Sequence, residues 1–387
     1  MESAWIVAAR RTAFTRAAKG AFVTARPDDL LASLFRDLLG TLPPSGQDRL
    51  DEVVVGCAYP EAEQGRNAAR LVALAAAVPE RVPAMTLTRM CASSLEATAV
   101  ACAKVRLGEA RLVLVGGMES MTRIPIGGVK PSPNRALLER APDAYMAMGL
   151  TAERVAARYG VGRADQDAWA VRSHARAATA RAAGRHAAEI LPVTVTKDGG
   201  SLEVAEDDAV RPDTTIERLA ALKPAFEADG SVTAGNSCPT SDGASALLVA
   251  SETTVRDLGL RPLGRFVSYA VAGVSPALMG IGPVEAVPIA LARAGLSLDR
   301  IDRIELNEAF AAQVLAVMRE LELPEGRTNV EGGSIALGHP LGATGARLVG
   351  TLLRQLQRDK LRYGLATLCV GGGMGAAMVL ESAGGAE

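Results

Sequence analysis

Two stretches of this chain occur twice, and that repetition limits the fold more than any other feature. RLDEVVVGCAY (49–59) is answered by RIDRIELNEAF (300–310), and EARLVLVGGMES (109–120) by GLATLCVGGGMG (364–375). The two matches run in the same order at a common offset of about 250 residues, as expected of an internal duplication rather than chance likeness between short strands. Each stretch is an apolar run of strand length closed by turn residues, the pattern of a buried strand. Duplicated α/β halves bring equivalent strand ends around one crevice, where open α/β sheets take their ligands.

The chain has 387 residues, of which 49% are hydrophobic and 3% aromatic. That length calls for two or three subdomains, and the low aromatic content favours close packing of helices on sheets. The 42 basic and 43 acidic side chains leave a net charge of −1, without the basic stripe of a nucleic-acid binder. Arg10, Arg11 and the Arg-rich 154–185 region are the places where a phosphate would be drawn locally. No apolar run reaches the roughly 18 residues of a membrane span, and the apolar N-terminal stretch is too short for a signal peptide. The expectation is a cytoplasmic protein that meets neither membrane nor nucleic acid. Five cysteines without a CxxC pair argue against a structural metal site or a disulfide framework, and for reduced thiols.

Taken in order, Ala4–Ala8 reads as a strand and Pro27–Asp28–Asp29 opens a helix, with proline early and acids in the first turn. Arg49–Cys57 reads as a buried strand, Asn67–Ala77 as a helix, Met85–Arg106 as a helix containing Cys91, and Glu109–Gly117 as a strand. From about residue 120 the character changes to a Pro/Gly-rich loop and Arg/Ala-rich helices (Thr151–Arg158, Asp165–Ala183), which we read as an insertion. Strand patterning resumes at Thr233 and Ala246–Ala250. The predicted organisation is a first half over 1–120 and 206–255, an inserted domain over 121–205, and a second half over 256–387.

Three histidines are present. His174 and His186 fall in an Ala/Arg-rich stretch that reads as a solvated surface helix. His339 falls in EGGSIALGHPLGATGAR (331–347), a glycine-rich loop leading into a helix expected over Leu348–Leu356. Its surroundings are those of a backbone passing close to a ligand, near helix N-terminal amides suited to an anion. Cys91 and Cys369 stand at junctions between regular structure and turn, where a thiol is exposed rather than packed. Cys57 and Cys102 read as small buried residues.

Four motifs, RMCASSLEA at Cys91, NEAFAAQ at Asn307, GGSIALGHPLGATGAR at His339 and CVGGGMGAA at Cys369, occur in the order in which the thiolases carry them. The chain resembles that family over nearly its whole length, and within it the degradative 3-ketoacyl-CoA thiolases. The resemblance implies an α/β fold of two βαβαβαββ halves in a five-layered αβαβα core with an inserted loop domain. It implies thiolytic cleavage of 3-ketoacyl-CoA by CoA through an acyl-cysteine, in fatty-acid β-oxidation. Cys91 would be the nucleophile, its pKa lowered by an adjacent base and a helix N-terminus. His339 would be that base, and Cys369 the acid that protonates the departing enolate. His339 and a water held by Asn307 would serve the enolate oxygen, and the N–H groups of Cys91 and Gly371 the tetrahedral oxyanion. Read from the residues alone, Asn307 has a plain alternative as a cap for the helix that follows it. Arg211 resembles the arginine at the adenine and phosphate end of CoA, with a surface arginine as the plain alternative. Phe226, Ala234, Met148 and Cys238 resemble residues along the pantetheine tunnel.

The sequence departs from the family at Ser94, where glycine is usual, at Thr88, where asparagine is usual, and at Cys238, where serine is common. Ser94 would narrow the pocket and Cys238 would weaken a hydrogen bond to CoA. MTRIPIGGVKPSPN in the loop domain and Ala147 before Met148 differ from the biosynthetic acetoacetyl-CoA thiolases and favour the degradative branch. Two alternatives stay open: condensation of two acetyl-CoA, and a non-catalytic acyl-CoA-binding relative. CoA is a substrate here and no cofactor or metal is implied. The resemblance implies a homodimer or homotetramer, and leaves open docking to a hydratase/dehydrogenase partner.

Overall fold

A computed structural model describes residues 2–197 and 199–384; Met1, Asp198 and 385–387 of the expected domain ranges lie outside them. The first half runs β1 (Ala4–Arg11), α1 (Pro27–Gly40), β2 (Glu52–Gly56), α2 (Ala68–Ala75), β3 (Ala84–Leu87), α3 (Ser93–Leu107) and β4 (Leu112–Ser120). An excursion carrying α4 (Met148–Arg158) and α5 (Arg163–Ala182) precedes its last strand, β5 (Ser241–Ser251). The second half runs β6 (Gly264–Gly273), α6 (Gly282–Ala294), β7 (Arg303–Leu306), α7 (Ala311–Glu320), α8 (Leu341–Arg358), β8 (Tyr363–Val370) and β9 (Met374–Ser382). In place of β3 the second half has only a parallel bridge from Ile304 to Thr328.

Strand order repeats with the elements. The first half pairs as β3-β2-β4-β5-β1 and the second as β7-β8-β9-β6, parallel among β2, β3 and β4 and between β7 and β8, antiparallel elsewhere. β1 and β6 join the halves through Trp5–Arg265 and Ile6–Gly264. Gly264 is needed there, because a Cβ would sit 2.5 Å from the Glu381 carbonyl oxygen.

Burial divides into layers. One apolar cluster lies under α1 and α2, another under α6 and α7, and a third joins α3 and α8 to strands of both halves. α3 and α8 are therefore the filling between the two halves of one continuous sheet, and α8 is buried along nearly its whole length. They approach at backbone distance: a Cβ on Gly345 would lie 2.3 Å from the Leu95 nitrogen. This explains the glycines of the 331–347 motif more fully than a ligand does. α8 starts at Leu341, seven residues before the expected helix, because glycines that weaken an isolated helix are what this packing admits. Only Gly332 (φ +82°) and Gly338 (φ +101°) in that run need the left-handed region.

Other expectations are corrected. The stretch around Cys91 is not one helix from Met85; β3 ends at Leu87, a single 3₁₀ turn covers Met90–Ala92, and α3 follows. The excursion from the sheet lasts to residue 240, beyond the expected 205. Thr233 is in a turn, its N–H donating to Asn236 Oδ1 at 2.8 Å, rather than in a strand. Pro276–Ala294 forms a helical stretch of 19 residues with mean hydropathy 1.3, long and apolar enough to cross a membrane, but half buried. It carries Glu285 and Arg293, and Ala286, Val287, Ala290 and Leu291 pack under the second half of the sheet.

Several of the arginines read as phosphate-seeking are engaged by other groups of the fold, while Arg154 and Arg158 are exposed. Arg11 is buried, binding Asp207 through both terminal nitrogens (2.7 and 2.9 Å) and Glu189 at 3.0 Å. Arg10 pairs with Asp37, Arg163 with Asp167, and Arg176 donates to the Thr328 carbonyl. His174 and His186 are also buried, each 4% exposed, not solvated. The 206–240 segment covers the face of α5 that the sequence left open: the Arg211 N–H donates to His174 Nδ1 at 3.2 Å.

Candidate active site

The site forms where three strands end. Cys91 follows β3 through the 3₁₀ turn, Asn307 follows β7 directly, and Cys369 is the penultimate residue of β8. The Asn307 N–H donates to the Thr367 carbonyl at 2.9 Å, which sets β7 and β8 in register just before Cys369. Met90 enters the turn at φ +45°, a conformation most side chains avoid, and this aims Cys91 inward. The N–H groups of Gly371 and of Cys91 itself act on the Cys91 thiol, each favouring its thiolate form. A Cβ on Gly371 would lie 3.6 Å from Met148 Sδ.

Cys91 is 8% exposed and Cys369 is fully buried, so neither thiol is exposed as expected. Burial raises the Cys91 pKa to about 11, against the downward pull of the two N–H groups. The lowering expected from a helix N-terminus is outweighed by desolvation. Burial also pushes Cys369 well above the usual thiol value, helped by the nearby charges of Cys91 and Cys238. Cys238 is raised too, by burial and then by Cys91. The three thiols thus share one electrostatic neighbourhood, and at neutral pH each keeps its proton.

His339 sits two residues before α8. Its Nε2 lies 3.3 Å from Asn307 Nδ2 and its Nδ1 2.7 Å from Thr344 Oγ1. Burial, then the charge of Arg347, lowers its pKa to about 3, so the ring is neutral. Among the described residues no hydrogen bond joins His339 to Cys91; the expected thiolate–imidazole contact is absent from this resting arrangement. Asn307 does not cap a helix. α7 begins four residues later, and the Asn307 side chain spans Ser334 and His339, accepting from Ser334 Oγ at 2.7 Å. The α8 N-terminus is not open to an anion either, because the Gly342 N–H donates to Glu119 Oε2 at 2.9 Å.

Buried carboxylates that sequence reasoning missed build the walls. Glu119 also accepts from the N–H groups of Ala58 (2.8 Å) and Tyr59 (3.3 Å), tying the loop after β2 to the His339 turn. Glu308 accepts from Trp169 Nε1 (3.0 Å), Ser173 Oγ (2.6 Å) and Asn329 Nδ2 (2.9 Å), docking α5 of the excursion onto the second half. The available signal was an acid in or just after an apolar strand run, Glu119 in LVLVGGMES and Glu305 and Glu308 in RIELNEAF.

The expected CoA-contacting residues fall into two groups. Met148 packs with Cys369, Phe310 and Met279, and the Phe226 ring meets Phe310 edge-on at 6.2 Å. Arg211 and Ala234 line a small recess with His174, Ser237 and Pro239. Cys238 lies between the groups, its N–H donating to the Ala309 carbonyl at 3.0 Å. Ser94 does not narrow the pocket: its Oγ accepts from the Ala346 N–H at 2.9 Å and links α3 to α8. Thr88 accepts from the Met90 N–H at 3.4 Å and donates to the Ala58 carbonyl at 3.1 Å, bracing the turn that carries Cys91. Among the described residues, no cluster of three or more His, Cys, Asp or Glu is arranged to hold a metal ion.

Comparison with known proteins agrees with this architecture. The chain is 49% identical to a 3-ketoacyl-CoA thiolase of Bacillus subtilis (strain 168), over 98% of this chain and 100% of that one. It is 46% identical to a 3-ketoacyl-CoA thiolase of Escherichia coli O139:H28, with the same coverage. Solved structures of Bacillus anthracis acetyl-CoA acetyltransferase (37% identity) and human mitochondrial 3-ketoacyl-CoA thiolase (36%) each superpose with a TM-score of 0.90 over 99% of both chains. The family models of the thiolase N-terminal and C-terminal domains match residues 4–253 and 260–382. The chain belongs to the thiolase family.

Proposed function

We propose that this protein is an acyltransferase that cleaves 3-ketoacyl-CoA with CoA, giving acetyl-CoA and an acyl-CoA shortened by two carbons, in fatty-acid β-oxidation. The reading is supported by the placement of Cys91, Asn307 and Cys369 at strand ends of both halves, by the Asn307–His339 contact, and by the influence of the Gly371 N–H on the Cys91 thiol and of Cys91 on Cys369. The names of the 46–49% identical relatives support the degradative direction.

The chemistry runs as follows. The Cys91 proton passes to His339 Nε2 once substrate displaces the resting contacts, and the sulfur attacks the C3 keto carbon. The resulting alkoxide is stabilised by the N–H groups of Cys91 and Gly371. The C2–C3 bond breaks, leaving the acyl group on Cys91 and an acetyl-CoA enolate. His339, now protonated, and a water on Asn307 stabilise the enolate oxygen, and the Cys369 thiol protonates its carbon. Keeping that thiol protonated at neutral pH suits a general acid. The Cys369 thiolate then takes the proton of incoming CoA, whose sulfur attacks the acyl group. The Cys91 sulfur leaves and regains its proton from His339.

CoA would lie with its adenine end toward Arg211 and its pantetheine arm past Ala234, Cys238, Phe226 and Met148. A cytoplasmic homodimer or homotetramer, with docking to a hydratase/dehydrogenase partner, completes the proposal. The same residues run backwards condense two acetyl-CoA, and the likeness to an acetyl-CoA acetyltransferase keeps that second reading in view. The rate of thiolysis against acyl chain length separates the two. Cleavage extending to medium and long 3-ketoacyl chains is expected, and activity confined to acetoacetyl-CoA would contradict the degradative reading.

A further inference from the structure

The proposed mechanism needs a lone pair on His339 Nε2, and an imidazole offers one only in the tautomer that carries its proton on Nδ1. A line of buried hydrogen bonds fixes that choice from outside the reaction centre. Arg347 can only donate; its Nη2 reaches Ser334 Oγ at 3.1 Å. The single Ser334 proton then goes to Asn307 Oδ1 at 2.7 Å, which turns the Asn307 amide so that Nδ2 faces His339 Nε2. On the far side of the ring, Thr344 spends its proton on the Pro340 carbonyl at 2.8 Å, so its oxygen accepts from His339 Nδ1–H. Ser334 and Thr344 each have one hydroxyl proton, and each spends it within the line. The opposite tautomer would set N–H against N–H at Asn307 and leave the ring's Nδ1 lone pair facing an oxygen whose proton is committed elsewhere.

The head of the line is itself immobilised. Arg347 Nη1 donates to Glu305 Oε2 at 2.9 Å, with both side chains 1% exposed, and Gln355 Nε2 donates to Glu305 Oε1 at 2.9 Å. The weakest link is the 3.3 Å contact at Nε2, the one that must yield when the ring takes a proton.

We propose that Ser334 and Arg347 are positioning residues that hold His339 in its Nδ1–H tautomer, leaving Nε2 as the acceptor for the nucleophile's proton. This rests on the reading of His339 as the base, and acts through Asn307 rather than by touching substrate.

The test is ¹⁵N NMR of histidine-labelled full-length protein, with three ring systems to distinguish and His339 assigned from the His339→Gln variant. The wild type is expected to give an unprotonated Nε2 and a protonated Nδ1 at residue 339. Ser334→Ala frees the Asn307 amide to turn, so the Nε2 resonance should move toward the protonated form. Its kcat should fall about 10- to 100-fold with KM for CoA unchanged, a part of the roughly 10²–10⁴ that a general base contributes. Arg347→Lys keeps the charge opposite Glu305 but loses the second arm, and should shift the resonance in the same direction by less. A wild-type Nε2–H, or a Ser334→Ala spectrum matching wild type, would overturn the proposal. A shifted spectrum with unchanged kcat would uphold the tautomer control and instead remove His339 from its role as base.

Discussion

The two central helices occupy equivalent places in the two halves, and their N-termini have been put to opposite uses. α3 is entered through the strained Met90, and the thiolate form of the Cys91 sulfur ahead of it is favoured by backbone N–H groups alone, against burial and the charge of Glu119. α8 is entered through Gly338, and the His339 ring ahead of it is held on both nitrogens by side chains that are themselves held. One end therefore carries a thiol in a sparse cage, and the other an imidazole locked in a dense polar network. Burial drives both groups toward neutrality, upward for the thiol and downward for the imidazole. Duplication supplied two symmetric positions; divergence of the residues bonded to them supplied the chemistry.

Removing the sulfur is the severest test of that contrast. Cys91→Ala should reduce thiolysis to background while leaving the circular dichroism spectrum unchanged; retained turnover would take the nucleophile away from the α3 end. His339→Ala should lower kcat by about 10²–10⁴-fold, measured at saturating CoA, and a loss below tenfold would mean that the dense α8 end is structural only.

The sparse cage also has a pH signature. A thiol with its pKa near 11 is protonated at neutral pH, and its thiolate fraction rises about tenfold per pH unit up to that value. The iodoacetamide labelling rate of Cys91 should therefore climb from pH 7 to 10 without levelling. A plateau below pH 8 would indicate a thiolate–imidazole pair already formed at rest. The smallest effect concerns the joint between the two helices. Ser94→Gly removes the bond from the Ala346 N–H, and should cost about 1–2 kcal/mol in urea unfolding with kcat nearly unchanged. A large change in kcat would restore Ser94 to the pocket wall.

The halves, the strand ends and the residues on them were legible in the sequence because they rest on local signals. β2 and β7, like β4 and β8, are apolar runs, and Cys91, His339 and Cys369 sit in distinctive short motifs. What was hidden depends on partners distant in sequence. α8 could not be read back to Leu341, since Gly342 and Gly345 suit packing partners from the other half, the Met118 carbonyl and Leu95. His174 and His186 looked solvated because only the fold lays residues 206–240 over α5. The pKa of Cys91 was misjudged for the same reason: a helix N-terminus is visible locally, and the depth of burial is not. Glu119, Glu308 and the Arg347–Glu305 pair stood in apolar runs without marking what they hold.

The most direct measurement is to add a 3-ketoacyl-CoA in the absence of free CoA and follow the intact mass, with peptide mapping of the five cysteines. The account predicts one acyl group, shorter than the substrate chain by two carbons, on Cys91, released when CoA is added. No adduct, or an adduct on any other cysteine, would contradict it.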